Sequence, residues 1–165
     1  MTVLRSAQLT AIALLALLSG CGFALRGSLP QSTQMPQISV LSAEHDALHR
    51  ALSAALSAAG AELVETPTDS DALVLTLAPE QLARRAVSVN SRARAAQYEL
   101  SLSSELSLQQ GETLLLNVEP VSVQSEYFEA IENLAGTQDE IRLLTEEMRS
   151  RLVQQIIRRV SAALP

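Results

Sequence analysis

The sequence predicts an α/β protein of the α+β kind. It is a two-layer sandwich with two helices packed on one face of a mostly antiparallel four-stranded sheet, in the order β-α-β-β-β-α. Three observations carry this expectation. Tyr98, Leu100, Leu102, Leu106 and Leu108 alternate with Gln97, Glu99, Ser101, Ser103, Glu105, Ser107 and Gln109, the pattern of a strand with one buried and one wet face. Ile141, Leu144, Met148, Leu152, Ile156 and Val160 recur at helical spacing. Leu48, Leu52, Leu56 and Ala59 do the same on a shorter, alanine-rich stretch.

The elements follow in order. Gln37 to Leu41 is apolar and β-branched enough for a first strand. Ser42 is placed to cap a helix over Glu44 to Ala59, and Gly60 supplies the left-handed stop. Leu73, Leu75 and Leu77 alternate in a second strand that Pro79 interrupts, and the pattern resumes at Ala86 to Val89 before a turn near Asn90-Ser91. The long alternating strand comes next, and Gln110-Gly111-Glu112 closes a hairpin. Leu114, Leu116 and Val118 then share a face, but beyond Glu119-Pro120 the apolar set becomes Val121, Val123 and Tyr127. That slip of one residue predicts a bulge at Pro120 on an edge strand. Thr137 and Glu140 have capping-box spacing at the start of the last helix.

The first forty residues set the address. Arg5, the apolar run Ala11 to Leu18 and Ser19-Gly20 have the parts of a secretory signal. Leu18-Ser19-Gly20-Cys21 also fits the bacterial lipobox, in which the cysteine takes a diacylglycerol thioether and, after cleavage, an N-acyl chain. The apolar run is too short to span a bilayer, which needs about 20 such residues. Lipid chains hold by about 0.8 kcal/mol per buried methylene, and stable anchoring takes two of them. Residues 1–20 therefore read as a lipoprotein signal peptide, 21–37 as a lipidated tether with Gly27, Pro30 and Pro36, and 38–165 as a single domain. Gly22 rather than Asp follows Cys21, which points to the periplasmic face of the cell outer membrane.

Composition excludes several classes. Of the 165 residues, 145 remain beyond the signal, enough for one core. Cys21 is the lone cysteine, so the mature chain forms no internal disulfide and, once alkylated, has no thiol chemistry. Eleven arginines against 18 acids leave the mature chain near −7 with no lysine, unlike a nucleic-acid binder. With two Tyr, two Phe and no Trp, stacking platforms are scarce. No Gly-x-Ser-x-Gly and no glycine-rich phosphate loop is present, and Glu146-Glu147 sits on a polar helix face, so the chain offers no catalytic constellation. No cofactor is expected besides the covalent lipid on Cys21.

Arg84, Arg85, Arg92 and Arg94 put four cations within eleven residues of an acidic chain. Guanidinium forks converging at a turn can hold phosphates bidentately; a solvated turn, or pairing with a partner's acids, would use the same residues. His45 and His49 have the spacing of a helical metal pair, but no third ligand accompanies them, so they read as a solvated face and no metal is expected. Asp69 and Asp71 flank Ser70 in a turn, where Asp commonly satisfies backbone amides.

Cys21-Gly22-Phe23-Ala24-Leu25-Arg26-Gly27, Arg84 to Asn90, Ala96 to Leu100, Glu147-Met148 and Gln154 to Arg159 together resemble the LPS-assembly lipoprotein family LptE across essentially the whole chain. The resemblance implies a small α/β domain of two helices on a four-stranded sheet. It also implies a place as plug and assembly partner of the outer-membrane barrel LptD, and the ability to bind lipopolysaccharide. The family's phosphate contacts lie in the arginine-bearing turn and just before the last helix; Leu134 to Thr137 carries no basic residue, so the resemblance speaks more for the complex than for direct lipopolysaccharide contact. The alternative is a free-standing periplasmic lipoprotein that binds a small ligand or peptidoglycan.

Overall fold

One strand of 16 residues, β4 (Ala95–Gln110), is the axis of the domain. In the computed structural model, which describes residues 37–67, 72–89, 95–128 and 134–164, both of its edges are paired. On one edge lies β5 (Thr113–Phe128), antiparallel along nearly the whole length. On the other edge, β2 (Leu73–Leu77) pairs with the carboxyl-terminal part of β4 and β3 (Gln81–Val89) with the amino-terminal part, both antiparallel. β1 (Ile38–Ser42) adds to β2 in parallel and makes the sheet mixed. The helices are α1 (Ala47–Ala58) and α2 (Leu134–Ala163). Among the described residues no helix is long and apolar enough to cross a membrane.

The two-layer expectation holds, with five strands in place of four. The extra strand is the second predicted one, cut by Pro79: Leu77 faces Leu106 and Gln81 faces Ser103, so β2 and β3 run on along β4 with only Ala78-Pro79-Glu80 between them. Pairing therefore resumes at Gln81, not at Ala86. Three backbone groups of the break find individual partners, as peptide groups turned from water must. Ala78 N–H donates to the Glu105 carbonyl at 2.9 Å. The Ser104 hydroxyl donates to the Ala78 carbonyl at 2.7 Å, and Glu80 N–H donates to Asp46 Oδ2 at 2.8 Å. Pro79 has no N–H to satisfy.

Asp46 is also where α1 starts, correcting the expected cap at Ser42. Its Oδ1 accepts from His49 N–H at 2.8 Å, the contact that an N-cap supplies. Ser42 instead ends β1 and donates to the Glu44 carbonyl, so the predicted first helical turn is a loop. At the other end the expected stop is present: Gly60 has φ +90°, Gly60 N–H donates to Ser57 and Ala61 N–H to Leu56, the two bonds of a Schellman motif. α2 begins at Leu134, three residues before the Thr137 capping box. Leucine and alanine favour helix enough to carry the first turn past Gly136, whose own penalty is about 1 kcal/mol.

The core lies on one face of the sheet. Leu73, Leu75, Leu77, Leu100, Leu102, Leu106, Leu108, Val121 and Tyr127 meet Leu48, Leu52 and Leu56 of α1 and Met148, Leu152, Ile156 and Val160 of α2, all buried. Each such aliphatic side chain contributes roughly 1.5–3 kcal/mol on burial. The opposite face carries Gln97, Glu99, Ser101, Ser103, Glu105, Ser107 and Gln109 of β4, as the alternation required, while Ser104 lies on the core side opposite Val121.

The slip in β5 is real, but it lies earlier than expected. Pro120 is in register opposite Glu105, whereas the shifts fall between Leu106 and Gln109 on β4, opposite Leu114 to Glu119. Leu115 and Leu116 both pack on the core, and Val118, expected beside Leu116, is 69% exposed. Because the Glu105 carbonyl points to Ala78, the backbone groups of Pro120 face away from β4, onto the outer edge. There a missing N–H breaks no ladder bond, and Arg159 donates to the Pro120 carbonyl at 3.0 Å and to Glu119 at 2.7 Å.

Glu80 completes the tie between the layers. Arg149 of α2 donates to it through Nε at 2.7 Å and through an Nη at 2.6 Å, with the two side chains only 17% and 19% exposed. The hydrogen bond to Glu80 raises the Arg149 pKa against the opposing cost of burial, and the charge of Asp46 adds to it. A raised guanidinium pKa gives stabilisation that is complete below the unfolded value and lost only above the folded one, so alkaline titration short of the arginine range leaves the clamp intact. Changing Arg149→Met is expected to cost about 1.5–3 kcal/mol in urea denaturation, and less in the Glu80→Gln background, the non-additivity being the coupling between them.

Candidate functional site

The arginine-bearing segment is strand, not turn, where it is described. Arg84 and Arg85 are neighbours on β3, so their side chains leave opposite faces of the sheet. Arg85 opposes Glu99 on β4 and pairs with it at 3.0 Å, 72% exposed against 17%. Arg84 opposes Leu100 and so lies on the helix-bearing face. These two forks therefore do not converge on one face. Arg92, Arg94, Asp69, Asp71 and Cys21 lie outside the described residues.

Arg84 instead meets aromatic rings. Its guanidinium carbon sits 3.6 Å from the centroid of Tyr98 and 5.5 Å from that of Tyr127. The two tyrosines are register partners on β4 and β5, stacked at 5.6 Å with an interplanar angle of 18°. Tyr127 is 1% exposed and closes the core at this end. Stacking engages the face of the cation and so fixes the plane of its N–H groups. Leu82, two residues away on the same face, is 48% exposed, so this end of the sheet lies beyond the cover of the helices. The arrangement is a cation on an aromatic floor beside exposed aliphatic surface. Tyr98 and Tyr127 escaped functional notice in the sequence because each fits its strand's apolar alternation; the pairing of β4 with β5 brings them under Arg84.

The other face of this end is polar. Gln97 donates to Glu126 at 2.6 Å, and together with the Arg85–Glu99 pair it forms an exposed ladder across three strands. Such surface pairs contribute up to about 1 kcal/mol each. Glu146 and Glu147 lie on the exposed face of α2 and pair with Arg142 and Arg151 at helical spacing.

His45 and His49 do come together, with ring centroids 4.6 Å apart at 68°, although His45 precedes α1. No group of three or more His, Cys, Asp or Glu suited to a metal occurs among the described residues.

This architecture is shared with solved bacterial lipoproteins. Rare lipoprotein B from Shewanella oneidensis matches with a TM-score of 0.69 at 21% identity, covering 76% of this chain and 94% of that one. Lipoprotein B from Nitrosomonas europaea matches with 0.71 at 20%, covering 86% and 91%. A minor lipoprotein from Acinetobacter baumannii matches with 0.59 at 22%, covering 76% and 90%. At these identities the likeness establishes the fold. No curated protein sequence matches the chain. The profile of the lipopolysaccharide-assembly family LptE matches residues 35–160, and the chain belongs to that family.

If Arg84 is held by the rings, Arg84→Gln should cost about 0.5–1 kcal/mol in chemical denaturation, and the loss should shrink when Tyr98 is changed to Leu, the difference being the coupling of cation and ring. An Arg84→Gln loss that is the same with Tyr98 and with Leu at that position would contradict the stacking.

Proposed function

We propose that this chain is a non-enzymatic subunit of the lipopolysaccharide-assembly machinery of the outer membrane. In this reading Cys21, bearing S-diacylglycerol and N-acyl chains, anchors it to the periplasmic face of the outer membrane, residues 21–37 form the tether, and the domain plugs the LptD barrel and assists its assembly. The observation that carries the reading is the family match over residues 35–160, on a chain that opens with a lipobox at Leu18 to Cys21. The acidic, disulfide-free domain fits a periplasmic role beside a barrel better than one on nucleic acid.

Lipopolysaccharide contact is assigned to the Arg84 end of the sheet. A guanidinium oriented by two tyrosines, beside Leu82, presents charge and aliphatic surface together. That pairing complements an acylated glycolipid whose phosphates lie next to its chains.

Gentle detergent solubilisation of native membranes, followed by affinity capture of this chain, should bring down the LptD barrel in stoichiometric amount. Recovery as a lone monomer, with surface lipopolysaccharide unchanged on depletion, would support a free-standing ligand- or peptidoglycan-binding lipoprotein instead. For the site, Arg84, Arg85, Arg92 and Arg94 changed together to Gln should weaken lipopolysaccharide binding at low salt by tenfold or more while the circular-dichroism spectrum is kept. Unchanged affinity removes the phosphate role.

A further inference from the structure

The outer edge of β1 carries an unfinished ladder. Gln37 accepts from Leu73 N–H, so the backbone groups of Gln37, Ser39 and Leu41 point toward β2, and those of Ile38, Val40 and Ser42 point the other way. Ile38 uses its pair: its N–H donates to Glu62, and its carbonyl accepts from Val64 N–H, in a parallel bridge to Leu63. The chain then bends at Glu65-Thr66 and leaves the edge. The next two positions, Val40 and Ser42, have no backbone partner on this side among the described residues.

Between that edge and its surroundings lies a groove of about 600 Å3. One wall is His49 and Ser53 of α1 with His45 from the loop before it, the other is Leu63, Val64 and Glu65, and the floor is Val40 to Ser42. Leu41 and Leu63 are both substantially exposed at its mouth. The β5 edge is treated differently: there Pro120 removes a donor and Arg159 covers a carbonyl. β1 is short, and the Leu63 bridge covers Ile38, but beyond that point the edge has no proline, no charged side chain from Val40 to Ser42 and no such cover among the described residues, so Val40 and Ser42 lack the guards that β5 has.

We propose that the outer edge of β1 is a strand-addition site that takes an extended, aliphatic segment of a partner polypeptide, continuing the pairing that Leu63 begins. Three elements define the occupant. The donor and acceptor of Val40 and of Ser42 require a backbone in β conformation. The uncovered edge from Val40 to Ser42 matches three residues of an added strand, about 10 Å at roughly 3.3 Å each. Its aliphatic lip favours apolar side chains, with the imidazoles and the Ser53 hydroxyl available to polar groups on the helix side. Main-chain bonds then supply affinity, and alternate side chains supply selectivity. The site does not depend on the barrel reading, and its failure would leave the copurification result untouched.

The test uses full-length protein in detergent micelles and an acetylated, amidated Thr-Val-Thr-Val-Thr-Val peptide. Binding should slow hydrogen exchange of the Val40 and Ser42 amides tenfold or more, while the Leu41 amide, already turned toward β2, is unchanged. Methylating alternate peptide nitrogens on the pairing edge should abolish the protection. Val40→Pro removes an outward donor without touching the β1–β2 bonds, and should weaken peptide binding at least tenfold with the fold retained. Absence of protection at Val40 and Ser42, equal binding by the N-methylated peptide, or full binding by a folded Val40→Pro protein overturns the proposal. Should Val40→Pro fail to fold, the N-methylated peptide decides.

Discussion

The domain depends on how it closes the break at Pro79. A proline inside a sheet removes a ladder donor and would ordinarily end the strand or confine it to an edge. Here Ser104 and the Glu105 carbonyl of β4 satisfy Ala78 on both sides, and the Asp46 carboxylate accepts from Glu80. The same Asp46 caps α1, and the Glu80 side chain receives the fork of Arg149 from α2. One interruption thus holds β2 and β3 in line along β4 and ties both helices to that line. Partly buried charges are stabilising only when their geometry and partners are complete, and this cluster has both.

Around that point the rest is a division of surfaces. The leucines of β2 and β4 meet the stripes of α1 and α2 on one face, while serines, glutamates and glutamines occupy the other. The outer strands are treated unequally. β5 carries a bulge, a proline whose missing donor faces outward, and an arginine over its carbonyl. β1 keeps two consecutive outward-facing positions next to a groove. β5 is thus guarded by three means, whereas the outer side of β1 beyond Ile38 has no backbone partner among the described residues and can accept another strand.

The arginines bear on function through the same alternation that builds the sheet. Two successive cations on a strand cannot act on one ligand, because the pleat sends them to opposite faces. Arg85 goes to the polar ladder with Glu99, and Arg84 goes to the uncovered end of the core, where stacked tyrosines fix its plane. Membership of the lipopolysaccharide-assembly family gives that asymmetry a use, since a lipid with phosphates beside acyl chains needs charge and apolar surface on the same side.

The sequence by itself determined the layers. Period-two alternation from Tyr98 to Gln109 and the helical stripe from Ile141 to Val160 named the buried faces, because burial imposes periodicity on any element that rests on a core. Gly60 marked a helix stop through its backbone freedom, and the segments that resemble LptE carried the family. What the tertiary structure alone decided were contacts between residues distant in the chain. Asp46 outcompetes Ser42 as the cap because Glu80, 34 residues away, fixes its carboxylate. The bulge of β5 moves ahead of Pro120 because Pro120 can stay in register with its bare nitrogen on the outer edge. Arg84 becomes distinct from Arg85 only when β4 and β5 bring Tyr98 and Tyr127 together beneath it, and the open edge of β1 exists only because the chain bends away after Val64. Local pattern records what a residue must bury; partners at long range record what its polar groups must meet, and no single stretch of sequence contains them.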